Sequence, residues 1–322
     1  MVNPLTRREF LVRSSAATGL IGAAGAALRP AVAATQTRAE REAAARNSVD
    51  RRASVRTVEA ETGIRKALYW GMLPGGLSVD DRFKLTRDVG FAGVEVPTLR
   101  DAGTVDQFRQ AAEKAGIRIH SVMNSDHWKF PLSSGDPQIV EKGIACIRKS
   151  LENAAALGAD TVLLVPAVVN PQTRYADAYS RSMNEIRKLV PSAEELGVAI
   201  AIENVWNRFL LSPLEFADYI DRFKSRAVRA YFDVGNIVAY GFPQDWIRTL
   251  GGRIAKVHVK DFDARAHDWR PLLEGSIDWK EVRAALAEIK YDGWMTAELP
   301  AGDEKYLKEV SERMTRIIDG RT

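Results

Sequence analysis

Cysteine and histidine are both scarce in this chain of 322 residues. Cys146 is the only cysteine, so no disulfide can form within one chain. The four histidines, two of them in predicted loops, are too few for a nuclease-type centre that binds several zinc ions. A metal site built mainly from carboxylates would instead suit ions such as Mn²⁺ or Mg²⁺, which do not require thiolate ligands.

A strong excess of one charge is also absent. The net charge is +4, and four of the 46 basic residues lie in the first 33 positions, against one of the 42 acidic residues. The remainder therefore has 42 basic and 41 acidic residues, which gives no electrostatic support for a nucleic-acid partner. A hydrophobic content of 46% and a charged content of 27% are typical of a soluble globular protein.

Long apolar runs are missing as well, and the run at residues 16–28 is too short to span a bilayer comfortably. It follows a twin-arginine-like motif at residues 6–11 (TRREFL) and precedes a small-residue cleavage site, Ala31-Val32-Ala33. We therefore expect residues 1–33 to be a twin-arginine-type signal peptide. The mature protein would then be periplasmic, without stable membrane insertion. An uncleaved anchor or an unstructured tail is the alternative.

Residues 34–63 are polar and charged, and we expect a partly helical linker or a helix docked on the domain. From residue 64 onward, apolar strand-like runs alternate eight times with amphipathic helical patterns. This alternation predicts an α/β fold, a single (βα)8 TIM barrel over residues 64–322. A doubly wound sheet would need a nucleotide-type glycine loop after an early strand, which the sequence lacks. The strands are predicted near residues 67–72, 93–97, 117–124, 161–167, 199–205, 228–234, 254–261 and 294–299.

Four polar residues lie near the carboxyl ends of the last four predicted strands, namely Glu203, Asp233, His258 and Glu298. In a barrel these strand ends surround one mouth, where catalytic groups belong. Strand alternation supports inward orientation, because it places Glu203 on the face of Ala201 and Asp233 on the face of Tyr231. A buried, unpaired acid is unfavourable, so this convergence predicts a divalent metal, best Mn²⁺, with Mg²⁺, Co²⁺ or Zn²⁺ as alternatives. Separate salt bridges to each acid are the other interpretation.

Several motifs resemble those of the xylose isomerase-like TIM-barrel superfamily of sugar and sugar-phosphate isomerases and epimerases. They are EN (203–204), DVGN (233–236), VHVKD (257–261), AE (297–298), GFAGVE (90–95) and YDGW (291–294). The resemblance covers nearly the whole chain after residue 65 and includes the ketose 3-epimerase and hydroxypyruvate isomerase branches. It implies that the four strand-end residues hold a metal, and that Glu203 and Glu298 also act as acid and base. The ketose 3-epimerase branch usually has a histidine where this chain has Asn236.

We therefore expect an exported, metal-dependent sugar isomerase or epimerase. The metal would bind two adjacent oxygens of a hydroxy-carbonyl sugar and stabilise an enediolate, while Glu203 and Glu298 exchange protons with the substrate. No glycine-rich phosphate loop follows the last strands, so an unphosphorylated sugar is the favoured substrate class. A keto-sugar or inosose dehydratase or lyase, and a non-catalytic sugar-binding barrel, are the alternatives. Pairing with a second copy of the chain is left open.

Five further residues are predicted to bind the substrate: Glu95, His127, Trp206, Asn236 and Lys260. Glu95 would bind a sugar hydroxyl or pair with Lys260. Lys260 would polarise a substrate oxygen or neutralise Asp233 or Glu95. His127 would contact the substrate or organise its long loop. Trp206, with other tryptophans near strand ends, would offer a flat face to sugar C–H groups. The remaining tryptophans of that group are Trp70, Trp128 and Trp269.

Overall fold

The structure, a computed structural model, describes residues 63–322. The predicted signal peptide and all but the last residue of the predicted linker therefore lie outside the described residues. The strands are β1 (Arg65–Tyr69), β2 (Gly93–Pro97), β3 (Arg118–Met123), β4 (Thr161–Leu164), β5 (Ala199–Glu203), β6 (Val228–Asp233), β7 (Ile254–Val259), β8 (Asp261–Asp263), β9 (Asp268–Arg270) and β10 (Trp294–Ala297). Eight of them close a parallel barrel in the order β1-β10-β7-β6-β5-β4-β3-β2. The predicted single TIM barrel is therefore confirmed.

Within residues 63–322, eight α-helices surround the barrel. They are α1 (Val79–Asp88), α2 (Ala102–Ala115), α3 (Pro137–Leu157), α4 (Tyr175–Leu196), α5 (Pro213–Asp221), α6 (Pro243–Leu250), α7 (Trp279–Glu288) and α8 (Glu304–Ile318). Six of these helices begin after a serine or aspartate whose side chain accepts a hydrogen bond from a backbone N–H of the first turn, as Asp303 does for α8. Gly116 and Gly158 end α2 and α3 in the left-handed conformation that favours glycine. Local sequence signals thus determine where most helices begin or end.

The barrel strands present alternate side chains to the barrel interior and to the helices. Leu163, Ala201 and Tyr231 form a small buried cluster of their own, separate from the main core. Ile200 and Ile202 belong to that main core, which packs the sheet against the helices. This alternation agrees with the predicted parity of β5 and β6, and it directs Glu203 and Asp233 toward the barrel axis.

The loop after β7 differs from the prediction. The predicted strand at 254–261 ends early, and the chain continues as a hairpin in which Asp261 pairs with Arg270 and Phe262 with Trp269. Buried Asp261 holds this loop, because its carboxylate accepts hydrogen bonds from the Leu273 amide and the Trp279 indole, both at 2.9 Å. Strands of three residues are too short for an alternation pattern to reveal them. Between residues 63 and 322, no helix is both long and apolar enough to cross a membrane.

Candidate active site

The structure brings together the four residues predicted at the barrel mouth. Glu203, Asp233, His258 and Glu298 each offer a ligand atom, and these atoms lie within 4.8 Å of one another. Glu203 and Asp233 are the last residues of β5 and β6, and Glu298 directly follows β10. Asp233 and His258 are register partners on neighbouring strands. Strand ends and register therefore place all four side chains at one point of the mouth.

His258 lies among the three carboxylates and is fully buried. Its Nδ1 is 3.1 Å from Glu203 Oε1, 3.5 Å from Glu298 Oε2 and 4.0 Å from Asp233 Oδ2. Burial alone would lower the pKa of His258, but attraction to Glu95 and Glu298 outweighs it, so the pKa lies well above the ordinary value. The imidazole therefore acts as a proton-bearing counter-charge for the acids when no cation is bound.

The two glutamates have different proton affinities. Burial raises the pKa of Glu203 to about 7, and repulsion from Glu298 adds to that effect. Burial also opposes ionisation of Glu298, but His258 and Lys260 outweigh it and hold the pKa of Glu298 below its ordinary value. Two carboxyl groups whose pKa values are pushed apart are the arrangement expected of an acid and a base.

Asp233 supplies the test of whether a cation fits. Its Oδ1 accepts a hydrogen bond from the backbone N–H of Asn236 at 2.8 Å. Its Oδ2 is buried and accepts no hydrogen bond from any described residue, although Lys260 Nζ lies 3.0 Å away as an ion-pair partner. An anionic oxygen without a hydrogen-bond donor, facing two further carboxylates and an imidazole, fits a divalent cation. The cluster therefore has the donors and the electrostatics of a metal site.

Glu95 occupies a different position from the predicted one. It is 0% exposed, and its carboxylate accepts hydrogen bonds from Ser121 Oγ at 2.6 Å and from His258 Nε2 at 2.9 Å. It therefore lies behind the imidazole with no exposed surface, and the predicted ion pair with Lys260 is not formed, because Lys260 pairs with Asp233 and Glu298. A ligand histidine whose second nitrogen bonds a carboxylate is the usual outer-shell arrangement of protein metal sites.

Lys260 neutralises two of the acids. It lies 3.0 Å from Asp233 Oδ2 and donates a hydrogen bond to Glu298. Burial opposes its charge, but Asp233 and Glu298 outweigh burial and raise the pKa of Lys260. The glycine at position 235 leaves room for Lys260, because a Cβ at residue 235 would overlap the Lys260 side chain and backbone. Of the predicted roles, the structure shows the ion pair with Asp233 and adds one with Glu298.

Two asparagines fix the backbone that carries Asp233. Asn204 exchanges hydrogen bonds with that residue, donating to its carbonyl at 2.8 Å and accepting from its amide at 2.9 Å. Asn236 donates from its side chain to the Asn204 carbonyl at 2.9 Å. The sequence prediction did not assign a role to Asn204, although an amide directly after a ligand glutamate was the available signal. The pair thus orients Asp233 independently of any ligand.

A cavity of about 290 Å³ lies over the cluster. Four of the five residues predicted to bind substrate line it, namely His127, Trp206, Asn236 and Lys260, whereas Glu95 does not. Trp206 and Trp269 stack with their ring centroids 5.1 Å apart, and they are 46% and 42% exposed. Trp206 Nε1 donates to the Asn236 carbonyl at 2.8 Å, which fixes this aromatic wall. Trp70 is absent from it, because it packs in the core against Phe83 and Phe108.

His127 lies in the cavity wall and is held there by the backbone. It lines the cavity next to Trp128, and its Nδ1 accepts a hydrogen bond of 3.4 Å from the Val165 amide at the end of β4. Burial lowers the pKa of His127 to about 4, so the ring is neutral near pH 7. With Nδ1 as an acceptor, the proton resides on Nε2. His127 therefore anchors its loop and provides one neutral donor at the cavity.

Comparison with known proteins relates the fold to sugar-converting enzymes. A family profile described as a xylose isomerase-like TIM barrel matches residues 83–317. The chain is 26% identical over 254 residues to L-ribulose-5-phosphate 3-epimerase UlaE of Salmonella paratyphi C (strain RKS4594), covering 73% of this chain and 89% of that protein. The corresponding protein of Escherichia coli O1:K1 / APEC is 26% identical over 268 residues, covering 77% and 94%.

Solved structures show the same fold at lower sequence identity. A D-psicose 3-epimerase determined in the presence of D-fructose has a TM-score of 0.68 and 19% identity, covering 80% of this chain and 100% of that one. The apo form of the E. coli 3-keto-D-glucoside 4-epimerase YcjR has a TM-score of 0.67 and 13% identity, covering 79% and 98%. At these identities the likeness concerns the barrel itself.

Proposed function

Because the chain belongs to the xylose isomerase-like TIM barrel family, we propose that it is a metal-dependent sugar epimerase or isomerase that acts through an enediolate. The predicted superfamily and enzyme class are confirmed, since the curated relatives are sugar epimerases and epimerases are isomerases. One observation supports the chemistry most directly. Glu203 and Glu298, with pKa values shifted in opposite directions, border the same cavity beside Asp233 and His258.

The proton transfers follow from the surroundings of the two glutamates. Glu298 is kept ionised by Lys260 and His258, which suits it to take the proton from the carbon next to the carbonyl. Glu203, the second carboxyl group at the cavity wall, is suited to return a proton. A divalent cation held by the four clustered residues would polarise the carbonyl and stabilise the negative charge that develops on its oxygen. Return to the same carbon gives an epimer, and return to the neighbouring carbon gives an aldose–ketose isomer.

The substrate class is an unphosphorylated hydroxy-carbonyl sugar or sugar derivative. The exposed parts of the Trp206 and Trp269 indoles suit the C–H surface of a sugar ring. Neutral His127 and the Lys260 ammonium, both at the cavity wall, can donate hydrogen bonds to sugar oxygens. Mn²⁺ is the proposed metal, because three carboxylates and one imidazole match its preference for oxygen with some nitrogen, and Mg²⁺, Co²⁺ and Zn²⁺ follow it.

Proton exchange with solvent tests the proposed function. The purified protein is loaded with Mn²⁺, its metal content is measured, and a panel of aldoses, ketoses and keto-sugars is incubated in D₂O and followed by proton NMR. We expect about one metal per chain and deuterium at the carbon next to the carbonyl of at least one sugar, with an epimer or isomer as product. Loss of water from the sugar would assign a dehydratase instead. Full metal occupancy without exchange in any sugar would refute the proposal.

Glu95 is expected to act as a positioning residue for His258. In the Glu95→Gln variant an amide replaces the carboxylate that accepts from His258 Nε2, while size and shape are kept. We expect the Kd for Mn²⁺ to rise by roughly 10-fold or more, because outer-shell partners fix the orientation and basicity of a ligand histidine. Isothermal titration calorimetry measures the Kd, and ¹⁵N NMR of the imidazole reports its tautomer.

Glu113→Gln on the outer surface of α2 is the matched control, since Glu113 contacts only the exposed side chain of Arg109 among the described ion pairs. An unchanged Kd and an unchanged His258 tautomer in Glu95→Gln would show that the buried carboxylate is only structural. Rescue of Mn²⁺ affinity by Glu95→Asp would argue for the positioning role.

Export through the twin-arginine route remains a proposal that rests on residues 6–11 and the small-residue site at Ala31-Val32-Ala33. We expect the mature protein to begin near residue 34 and to be recovered in the periplasm. Mass spectrometry of the N-terminus and cell fractionation measure this. Replacing both Arg7 and Arg8 with lysine should retain the precursor inside the cell, and normal processing of that double variant would contradict this route.

A further inference from the structure

A second and larger cavity, of about 520 Å³, lies beside the candidate active site. It is formed between the loop that follows β7 and helix α8, and Lys260, Trp269 and Glu298 line both cavities. Glu298 is one of the two proposed proton-transfer residues. The two cavities therefore adjoin along a shared part of their walls.

The walls of this cavity are mainly apolar. Leu272 and Val310 are buried lining residues, and Leu299, Pro300 and Tyr306 add further apolar surface. Buried Asp261, at the base, already accepts hydrogen bonds from backbone amides and from the Trp279 indole. These surfaces favour a ligand group without charge.

The charged residues of the cavity are paired with each other or with their neighbours. Arg313 lies 2.6 Å from both Glu274 and Glu309 and donates to the Leu272 carbonyl at 2.6 Å. Arg270 lies 3.8 Å from Asp263 and 3.6 Å from Asp268. Because each arginine faces two carboxylates, the cavity offers a phosphate no concentrated positive charge.

The volumes of the two cavities indicate that each holds a different part of the substrate. The cavity over the metal cluster, about 290 Å³, is at the small end of the range of about 300 to 1,000 Å³ typical of ligand pockets. It suits one sugar ring, which would lie against the exposed parts of Trp206 and Trp269. The larger neighbouring cavity has room for a part of the substrate that does not react.

We propose that the second cavity binds a neutral, apolar substituent of the substrate, an aryl or alkyl aglycone, so that the preferred substrate is a keto-glycoside and not a free sugar or a sugar phosphate. This inference rests on the proposed function. An acetal at the anomeric carbon leaves no carbonyl there, so such a substrate carries its carbonyl as a ring ketone. The exchangeable proton is on the carbon next to that ketone, where it passes to a glutamate and returns from one.

The test compares aglycones of different size on the same sugar. Phenyl and methyl 3-keto-glucosides are incubated with the Mn²⁺-loaded protein in D₂O, and kcat and KM for deuterium exchange are measured. We expect kcat/KM to be at least 10-fold higher for the phenyl compound, mainly through a lower KM. Calorimetry with phenyl and methyl glucosides, which have no ketone, measures binding alone and should show the same order.

Substitutions in and just before α8 show whether the second cavity causes the preference for the phenyl compound. Val310→Trp fills the cavity and should reduce the phenyl-to-methyl ratio of kcat/KM to about 1, and Pro300→Trp is the second variant if Val310→Trp does not fold. Lys308→Trp places the same side chain on an exposed position of α8 outside the cavity, and its ratio should match that of the unaltered protein.

The possible outcomes test the aglycone cavity and the proposed function separately. Exchange on the methyl compound with no preference for phenyl overturns the aglycone cavity and leaves the proposed function in place. Higher kcat/KM for a ketose phosphate than for the phenyl compound overturns it as well. Tighter binding of phenyl glucoside that Val310→Trp abolishes, without exchange on any compound, supports the cavity and refutes the proposed function.

Discussion

Replacing Glu298 with glutamine is expected to lower the rate of substrate proton exchange by about 10³-fold, with a smaller effect on KM. Glu298 borders the cavity, and its carboxylate is kept ionised by His258 and Lys260 even though burial opposes its charge. Glutamine keeps the shape and can still bind a cation through its carbonyl oxygen, but it cannot accept a proton. General acid–base catalysis contributes typically 10²- to 10⁴-fold, so the expected loss is near the middle of that range.

The measurement must separate proton transfer from metal binding, because Glu298 is also one of the four residues that could hold the metal. Elemental analysis of the Glu298→Gln protein, at saturating Mn²⁺, therefore accompanies the rate of deuterium incorporation. Full occupancy with lost exchange supports the role as base. Glu288→Gln on the outer face of α7, where Glu288 pairs with Arg248, controls for loss of one negative charge. Retention of more than a tenth of the activity with full occupancy would exclude Glu298 as the base.

The four clustered residues could be predicted from sequence because two local rules are sufficient. Each lies at or near the carboxyl end of a strand, and alternation decides which side chains face the barrel axis. Glu203 and Asp233 follow both rules directly, and their strands were predicted within one or two residues of their ends. No long-range contact needs to be known for this step.

The partners of those residues depend on contacts across the barrel. Glu95 reaches His258 over a sequence separation of 163 residues, so nothing in the β2 segment alone distinguishes a sugar-binding acid from one that holds an imidazole. The partner of Lys260 could not be chosen from the sequence for the same reason, because more than one acid at the predicted barrel mouth was a possible partner. The second cavity has no local signature either, because it forms where the loop after β7 meets α8.

Addition of Mn²⁺ to metal-free protein is expected to raise the melting temperature by about 5 to 10 °C when free Mn²⁺ exceeds the Kd by about 100-fold. A ligand at that excess stabilises the folded state by about 2.7 kcal/mol, and 1 kcal/mol shifts the melting temperature by roughly 2 to 4 °C for a domain of this size. Asp233→Asn should abolish most of the shift, because it removes the charge of the oxygen that lacks a hydrogen bond. Asp221→Asn, which breaks only a surface pair with Arg253, should leave it unchanged.

The rise in melting temperature that Mn²⁺ causes should become larger between pH 5 and pH 8. The direction of this pH dependence follows from the raised pKa of Glu203. Burial raises its pKa to about 7 in the metal-free fold, above the ordinary value of 4.5. The protonated Glu203 therefore contributes stability that is fully present below about pH 4.5 and is lost as the pH rises through about 7. A cation must displace that proton at low pH but not at high pH, so binding becomes tighter as the pH rises. Differential scanning fluorimetry at pH 5, 6.5 and 8 measures the trend. A Mn²⁺-induced shift that is independent of pH would mean that Glu203 does not bind the metal.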